Sequence, residues 1–171
     1  MRVFLVNPSR KYWSSFRRGL IQTWGPHVFD TIPRSARAYI AQAQQTARGR
    51  RLAAGAVARS EWWLVDGRSY IGRIEIRHKA SGRDPRAKSH VYYEIIPSRR
   101  ARGYATLMLQ LARRKAASLG LKHLLISSDP TNIASVKVIA NNGGRRLKSI
   151  IARPDRRRLD LYRVPLPKPP T

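Results

Sequence analysis

Apolar positions change their period near residue 60 of the chain. Before it, Tyr12, Phe16 and Leu20 recur every four residues within SRKYWSSFRRGLIQTW (9–24). That spacing predicts an amphipathic helix, with Ser9 as its N-cap and Gly25-Pro26 as its stop. A weaker helix follows Pro33, with Tyr39, Ile40 and Ala43 on one face, and residues 47–60 read as a basic, small-residue loop. RVFLV (2–6) predicts a short strand. After residue 60 the pattern shortens. EWWLV (61–65) and SYIGRIEIRH (69–78) read as strands joined by an Asp66-Gly67 hairpin turn. HVYYEII (90–96) is a third strand after a loop at 79–89, and Pro97 ends it. A helix is predicted over about 103–119, with Leu107, Met108, Leu111 and Leu119 inward and Gly120 as its stop. HLLISS (123–128) is apolar enough for a central strand. A short helix over 131–142 turns Ile133, Val136 and Ile139 inward and closes on Gly143-Gly144. RRLKSIIA (145–152) and RRLDLYRV (157–164) form a last hairpin. The order β, α, α, β, β, β, α, β, α, β, β describes a mixed α/β domain.

Length fits one domain over 1–164, followed by an extended, proline-rich tail, PLPKPPT, at 165–171. No apolar run reaches the roughly 18 residues of a membrane helix. The start, MRVFLVNPSRKYW, lacks the apolar core of a signal peptide, so a cytoplasmic protein without membrane contact is expected. With no cysteine and four histidines that form no close pair, neither a metal site nor a thiol nucleophile is expected. Charge changes the picture more. Thirty-five Lys and Arg against nine Asp and Glu give +26, a balance that attracts polyanions or reflects arginine-rich composition.

One stretch concentrates that charge where physics disfavours it. PSRRARGYATLMLQL (97–111) crowds Arg99, Arg100 and Arg102 around Gly103 at a helix start, the positive end of the helix dipole. A sharp strand-to-helix turn leaves backbone N–H groups free, and with the dipole they make an anion site. Gly103 permits close approach and Ala105 keeps the first turn uncrowded. The expected anion is a phosphate or pyrophosphate. The spacing is neither a Walker pattern nor GxGxxG.

Arg100-Ala101-Arg102-Gly103-Tyr104-Ala105 resembles the Arg/Gln-x-x-Gly-x-Gly/Ala signature of the GNAT N-acetyltransferases. The likeness extends further. Tyr70 to His78 resembles a hairpin strand of one bacterial subgroup, and His90 to Ala105 its strand and pyrophosphate loop. Ser128 to Gly144 resembles its Asn-x-x-Ser…Asn-Gly-Gly segment, and Asn7-Pro8-Ser9…Ser15-Phe16 also fits. The resemblance implies an α/β fold with a mixed, mostly antiparallel sheet, flanked by helices. That sheet would carry a V-shaped central split between two parallel strands, here the one ending at Pro97 and 123–128. It implies acetyl-CoA in that split, its pantetheine paired with the backbone of Ile95 and Ile96. Its pyrophosphate would lie on the amides of Arg100, Ala101, Arg102, Gly103, Tyr104 and Ala105. Asn132 and Ser135 would meet the pantetheine or cap and solvate their helix.

Direct acetyl transfer needs a neutral amine, oxyanion donors and a proton for the leaving thiolate. Strand alternation puts Val91, Tyr93 and Ile95 on one face and His90, Tyr92 and Glu94 on the other. Glu94 is the candidate base, directly or through a water, with His90 second; a salt bridge or a structural role is the alternative for each. Many family members carry a tyrosine after the Asn motif, but Val138-Ile139-Ala140-Asn141-Asn142 has none. Tyr162 in the last strand is the remaining candidate acid. The implied activity is acetyl transfer to a primary amine, on a small molecule or a protein. The rival is a GNAT-fold protein with little catalysis whose basic surface holds nucleic acid or RNA, where Tyr12, Trp13, Trp24, Trp62 and Trp63 would stack on bases or pack in the core.

Overall fold

The computed structural model describes residues 2–80, 88–152 and 156–167. The predicted succession of elements is present throughout: β1 (Phe4–Val6), α1 (Trp13–Trp24), α2 (Ala36–Ala47), β2 (Arg59–Val65), β3 (Tyr70–Arg77), β4 (Val91–Ile95), α3 (Tyr104–Ser118), β5 (His123–Ser128), α4 (Ile133–Asn141), β6 (Arg145–Ile151) and β7 (Arg158–Pro165). Residues 81–87 of the expected loop and 168–171 of the expected tail lie outside the described residues.

The strands form two antiparallel sheets, β1-β2-β3-β4 and β5-β7-β6. The β2–β3 turn is fixed by Asp66, whose Oδ1 accepts the amides of Arg68 and Ser69. Gly72 is required where β3 meets β4, because a Cβ there would collide with the carbonyl of Glu94. The sheets meet at the start of β4. There the amide of His90 donates to the carbonyl of Leu125 (2.7 Å), and Ser89 Oγ accepts the amide of Ser127 (3.2 Å). Beyond this seam no backbone bond joins β4 to β5 among the described residues, so a wedge opens between them. β5 is therefore central in the molecule but an edge strand of its own sheet, and it buries alternate residues, Leu124, Ile126 and Ser128.

Helices α1 and α2 cover one face of the first sheet with Phe16, Leu20 and Tyr39 on Trp63, Val65 and Tyr70. Helix α3 covers the other, placing Met108 and Leu109 on Leu64, Ile71, Ile74 and Ile76. Two expected helix faces are rotated. On α3 the fully buried positions are Met108, Leu109, Ala112 and Ala116, while Leu107, Leu111 and Leu119 are half-buried. The small Ala112 and Ala116 let the helix lie close to the sheet and pull that stripe inward. On α4, Val138 and Ile139 are buried, Val136 is half-buried, and Ile133 is 58% exposed in the first turn. Ser9 has the extended backbone of a cap, but it precedes a 3-10 turn over Arg10–Tyr12 and its side chain makes no capping bond. Gly25 and Gly120 end their helices with left-handed φ of 77° and 79°, as expected.

Candidate active site

The corner between β4 and α3 is built as an amide-lined turn. Pro97–Arg99 forms a 3-10 turn, Ala101 takes φ 58° and Gly103 takes φ 77°. A non-glycine residue at positive φ is held there by its surroundings. Helix α3 begins without a side-chain cap and without an acidic residue in its first turn. The first helical bond at this end runs from the amide of Leu107 to the carbonyl of Gly103 (3.1 Å). The amides of residues 101–106 therefore donate to nothing among the described residues. A Cβ at Gly103 would meet nothing within 4 Å, so its glycine serves the backbone angle and leaves the approach open. Free amides, a 15-residue helix behind them and exposed Arg102 give this corner the chemistry of an anion site.

From this corner a cleft of about 460 Å³ runs between β4 and the start of α4. It brings together Glu94, Ile95, Arg100, Ala105, Asn132 and Ser135 of the predicted set. Arg100 turns back along the wall, its Nε donating to the carbonyl of Ile95 (3.0 Å). Asn132 caps α4, its Oδ1 accepting the amide of Ser135 (3.0 Å). Ser135 Oγ lies 2.8 Å from the hydroxyl of Tyr93, spanning the cleft from α4 to β4.

The backbone of β4 offers a different pair from the one expected. The amide of Ile96 donates to Ile71 and that of Arg77 to the carbonyl of His90, so even-numbered residues of β4 bond to β3. Alternation then turns the peptide groups of Tyr93 and Ile95 toward the wedge. Ile96 is buried among the aromatic side chains under α1.

Glu94 sits at the mouth of the cleft, 9% exposed. Arg73 Nε donates to its Oε1 (2.7 Å), while Trp24 Nε1 (2.8 Å) and the Tyr92 hydroxyl (2.7 Å) donate to its Oε2. Burial, and then the bond to Glu94, hold the Tyr92 phenol above its ordinary value, so it remains a donor. Behind Arg73 the polar group continues: its Nη1 reaches the Tyr39 hydroxyl (3.3 Å), which donates to Glu61 (2.8 Å), and Glu61 also accepts Trp63 Nε1 (2.6 Å). Burial raises the Glu61 carboxyl, with Arg73 opposing it.

His90 and Tyr162 do not line the cleft. His90 Nδ1 accepts the amide of Leu125 (2.8 Å) at the seam. Burial, then His123 and Arg77, lower it to about 4, so it is neutral near pH 7. Tyr162 is buried in β7 opposite Ile126, in the core under α3. Sequence reasoning missed Trp24 and Arg73. Trp24 ends α1 as the next four-residue step after Tyr12, Phe16 and Leu20, a spacing that reads as core, yet it is 56% exposed and its indole reaches Glu94, so nothing in the pattern singled it out. Of the other aromatics weighed as base-stacking groups, Tyr12, Trp62 and Trp63 are buried and Trp13 packs against the α1–α2 core.

Similarity to known proteins agrees with this geometry. A family model described as an acetyltransferase (GNAT) domain matches residues 11–145. An acetyltransferase of the GNAT family from Streptococcus pneumoniae is 14% identical, with a TM-score of 0.64 over 96% of this chain and 100% of that one. RimJ from Mycobacterium smegmatis, solved with CoA-disulfide, is 16% identical, with a TM-score of 0.66 over 95% and 81%. An aminoglycoside acetyltransferase in complex with coenzyme A is 10% identical, with a TM-score of 0.62 over 96% and 95%. At such identities these likenesses speak to the fold. No curated protein matches the sequence. With the family model covering most of its length, and the open amide corner standing where the signature Arg100 to Ala105 falls, the chain belongs to the GNAT family of acetyltransferases.

Proposed function

We propose that the protein moves an acetyl group from acetyl-CoA directly to a primary amine, and that the reaction takes place in the cleft between β4 and α4. The observation that carries this reading is the run of unbonded amides at 101–106, opening onto the cleft that holds Glu94. Acetyl-CoA supplies the activated thioester: the amine nitrogen bonds the acetyl carbon, the C–S bond breaks, and CoA leaves as the thiol, taking up the proton that the nitrogen gives to Glu94. Ala101, Arg102, Gly103, Tyr104 and Ala105 hold its phosphates through backbone N–H groups, with the cationic side chain of Arg102 alongside; the expected Arg100 amide is spent on the carbonyl of Pro97 (3.3 Å). The outward peptide group of Tyr93 and the outward amide of Ile95 pair with an extended pantetheine as an added strand would, the Ile95 carbonyl being held by Arg100. Asn132 and Ser135 border it from α4.

Glu94 takes the proton of the acceptor amine, directly or through a water. Trp24, Tyr92 and Arg73 fix the orientation of its carboxylate. Tyr92 is 39% exposed and places a donor beside Glu94, within the cleft. His90 and Tyr162 serve the scaffold in this reading. No group of three or more metal-ligating residues occurs among the described residues, and none of these steps calls for one. No helix among the described residues is long and apolar enough to cross a membrane.

The test is a thermal-shift titration with acetyl-CoA, with dephospho-CoA and ATP as polyanion controls, followed by a screen of pooled amines read by thiol release. Acetyl-CoA raises the melting temperature more than ATP does. Glu94→Gln keeps that shift and lowers turnover by on the order of 10²–10⁴-fold. Equal shifts with ATP and acetyl-CoA would overturn the assignment.

A further inference from the structure

A second cationic site lies at the other end of β5. The start of that strand, at Lys122 and His123, is about 16 Å of chain from its Ser128 end. There a cavity of about 670 Å³ is lined by Lys122, His123, Arg145, Leu147, Arg163 and Pro165, among others. Arg145 and Arg163 are direct partners across the β6–β7 pair. Like charges facing each other across an antiparallel pair are destabilising. No acid lines the cavity among the described residues, and Lys122, Arg145 and Arg163 form no ion pair. Asp160, the one acid of β7, is engaged by Arg146 and Arg158.

Leu147 faces the same space. The ladder of β6 and β7 slips between Arg146 and Lys148, so Leu147 is the extra residue of a bulge and stands 51% exposed. His123 Nδ1 is buried without a hydrogen-bond partner. Burial, and then Arg163 beside it, lower the His123 imidazole below its ordinary value. Three cations without an ion pair among the described residues and an exposed apolar residue on a bulge describe a site for an anion that also carries an apolar face.

We propose that this cavity binds single-stranded nucleic acid, with phosphates on Lys122, Arg145 and Arg163 and an unstacked base against Leu147 and Pro165. The apolar wall favours an unstacked strand over a duplex, whose outer surface presents chiefly phosphate and sugar. The +26 charge of the whole chain favours a long polyanion over a short phosphopeptide. The site is separate from the acetyl-transfer cleft and stands or falls independently of it.

The experiment follows fluorescein-labelled oligouridine by anisotropy between about 50 and 200 mM salt. Arg145→Ser/Arg163→Ser weakens binding at least about 10-fold and makes the salt slope shallower by about 1.4, the share of two phosphate contacts on a single strand. Arg10→Ser/Arg18→Ser, with the same loss of charge at exposed positions of the first half of the chain, changes the affinity far less. Relief of the like-charge pair leaves the melting temperature of the first variant equal or higher at low salt, and its shift with acetyl-CoA is unchanged. On the unaltered protein, adding oligouridine raises the His123 titration midpoint followed by imidazole proton NMR. Equal losses in the two double variants, tighter binding of a duplex or a phosphopeptide than of oligouridine, or an unmoved His123 midpoint would each overturn the proposal.

Discussion

The two faces of the first sheet are built from different chemistry. Under α3 the interior is mainly aliphatic: Leu64, Ile71, Ile74 and Ile76 meet Met108 and Leu109, all fully buried, with Trp62 and Tyr162 as the buried aromatic members of that core. Under α1 and α2 it is aromatic and polar. Phe16 stacks on Trp63 at 4.1 Å, Tyr70 meets Phe16 edge-on at 5.1 Å, and Glu61, Arg73 and Glu94 share the same side. One face holds the sheet together and the other holds charges in position beside the cleft. Three of the nine acids of a +26 chain stand on this side of the first sheet, Glu61, Glu75 and Glu94, with Arg73 among them. Acids are scarce over the whole chain, so their concentration here sets this side of the sheet apart from the other.

The contrast can be broken from either face. Arg73→Met removes the cation between Glu94, Tyr39 and Glu61 and leaves buried carboxylates uncompensated. It costs about 3–5 kcal/mol in denaturant unfolding, together with turnover. Leu109→Ala, on the aliphatic face, costs about 2–5 kcal/mol through the cavity it leaves. At temperatures where the variant is folded, its turnover equals that of the parent. Equal turnover losses in the two variants would erase the distinction between the faces.

The seam between the sheets gives a pH signature. The folded state holds His90 near 4 and the unfolded chain near 6.5, so the unfolded state binds more protons between these values. His90 therefore costs stability as pH falls from about 6.5 toward 4. His90→Asn, which can still accept the Leu125 amide, flattens the fall of melting temperature over that window relative to the parent. The smallest effect is expected at Tyr70, whose hydroxyl is buried without a partner. Tyr70→Phe is neutral or stabilises the protein by about 1 kcal/mol, because it removes an unsatisfied polar group and keeps the ring contacts.

Local pattern made the fold legible. Helical spacing and strand-like runs produced every strand and α-helix in its order, though not the 3-10 turns, and Gly25, Gly67, Gly103 and Gly120 all take positive φ. Helix orientation was legible only in part. Ala112 and Ala116 are inward because α3 lies close to the sheet, a fact of tertiary packing that hydrophobicity does not encode. In the site, the amide corner could be read because its parts are contiguous, from Arg100 to Ala105. The partners of Glu94 could not. Trp24 lies 70 residues away and Arg73 lies 21 away, and only the β3–β4 register and the seating of α1 bring them together.

Ala101, an alanine bent to φ 58°, has a consequence for recognition. Glycine would adopt that angle more easily, and would also leave it more easily. With a methyl group there, the turn has fewer alternative shapes to abandon on binding the diphosphate that we propose for it. Part of the ordering entropy of binding is thus met during folding, and affinity gains from a small standing strain.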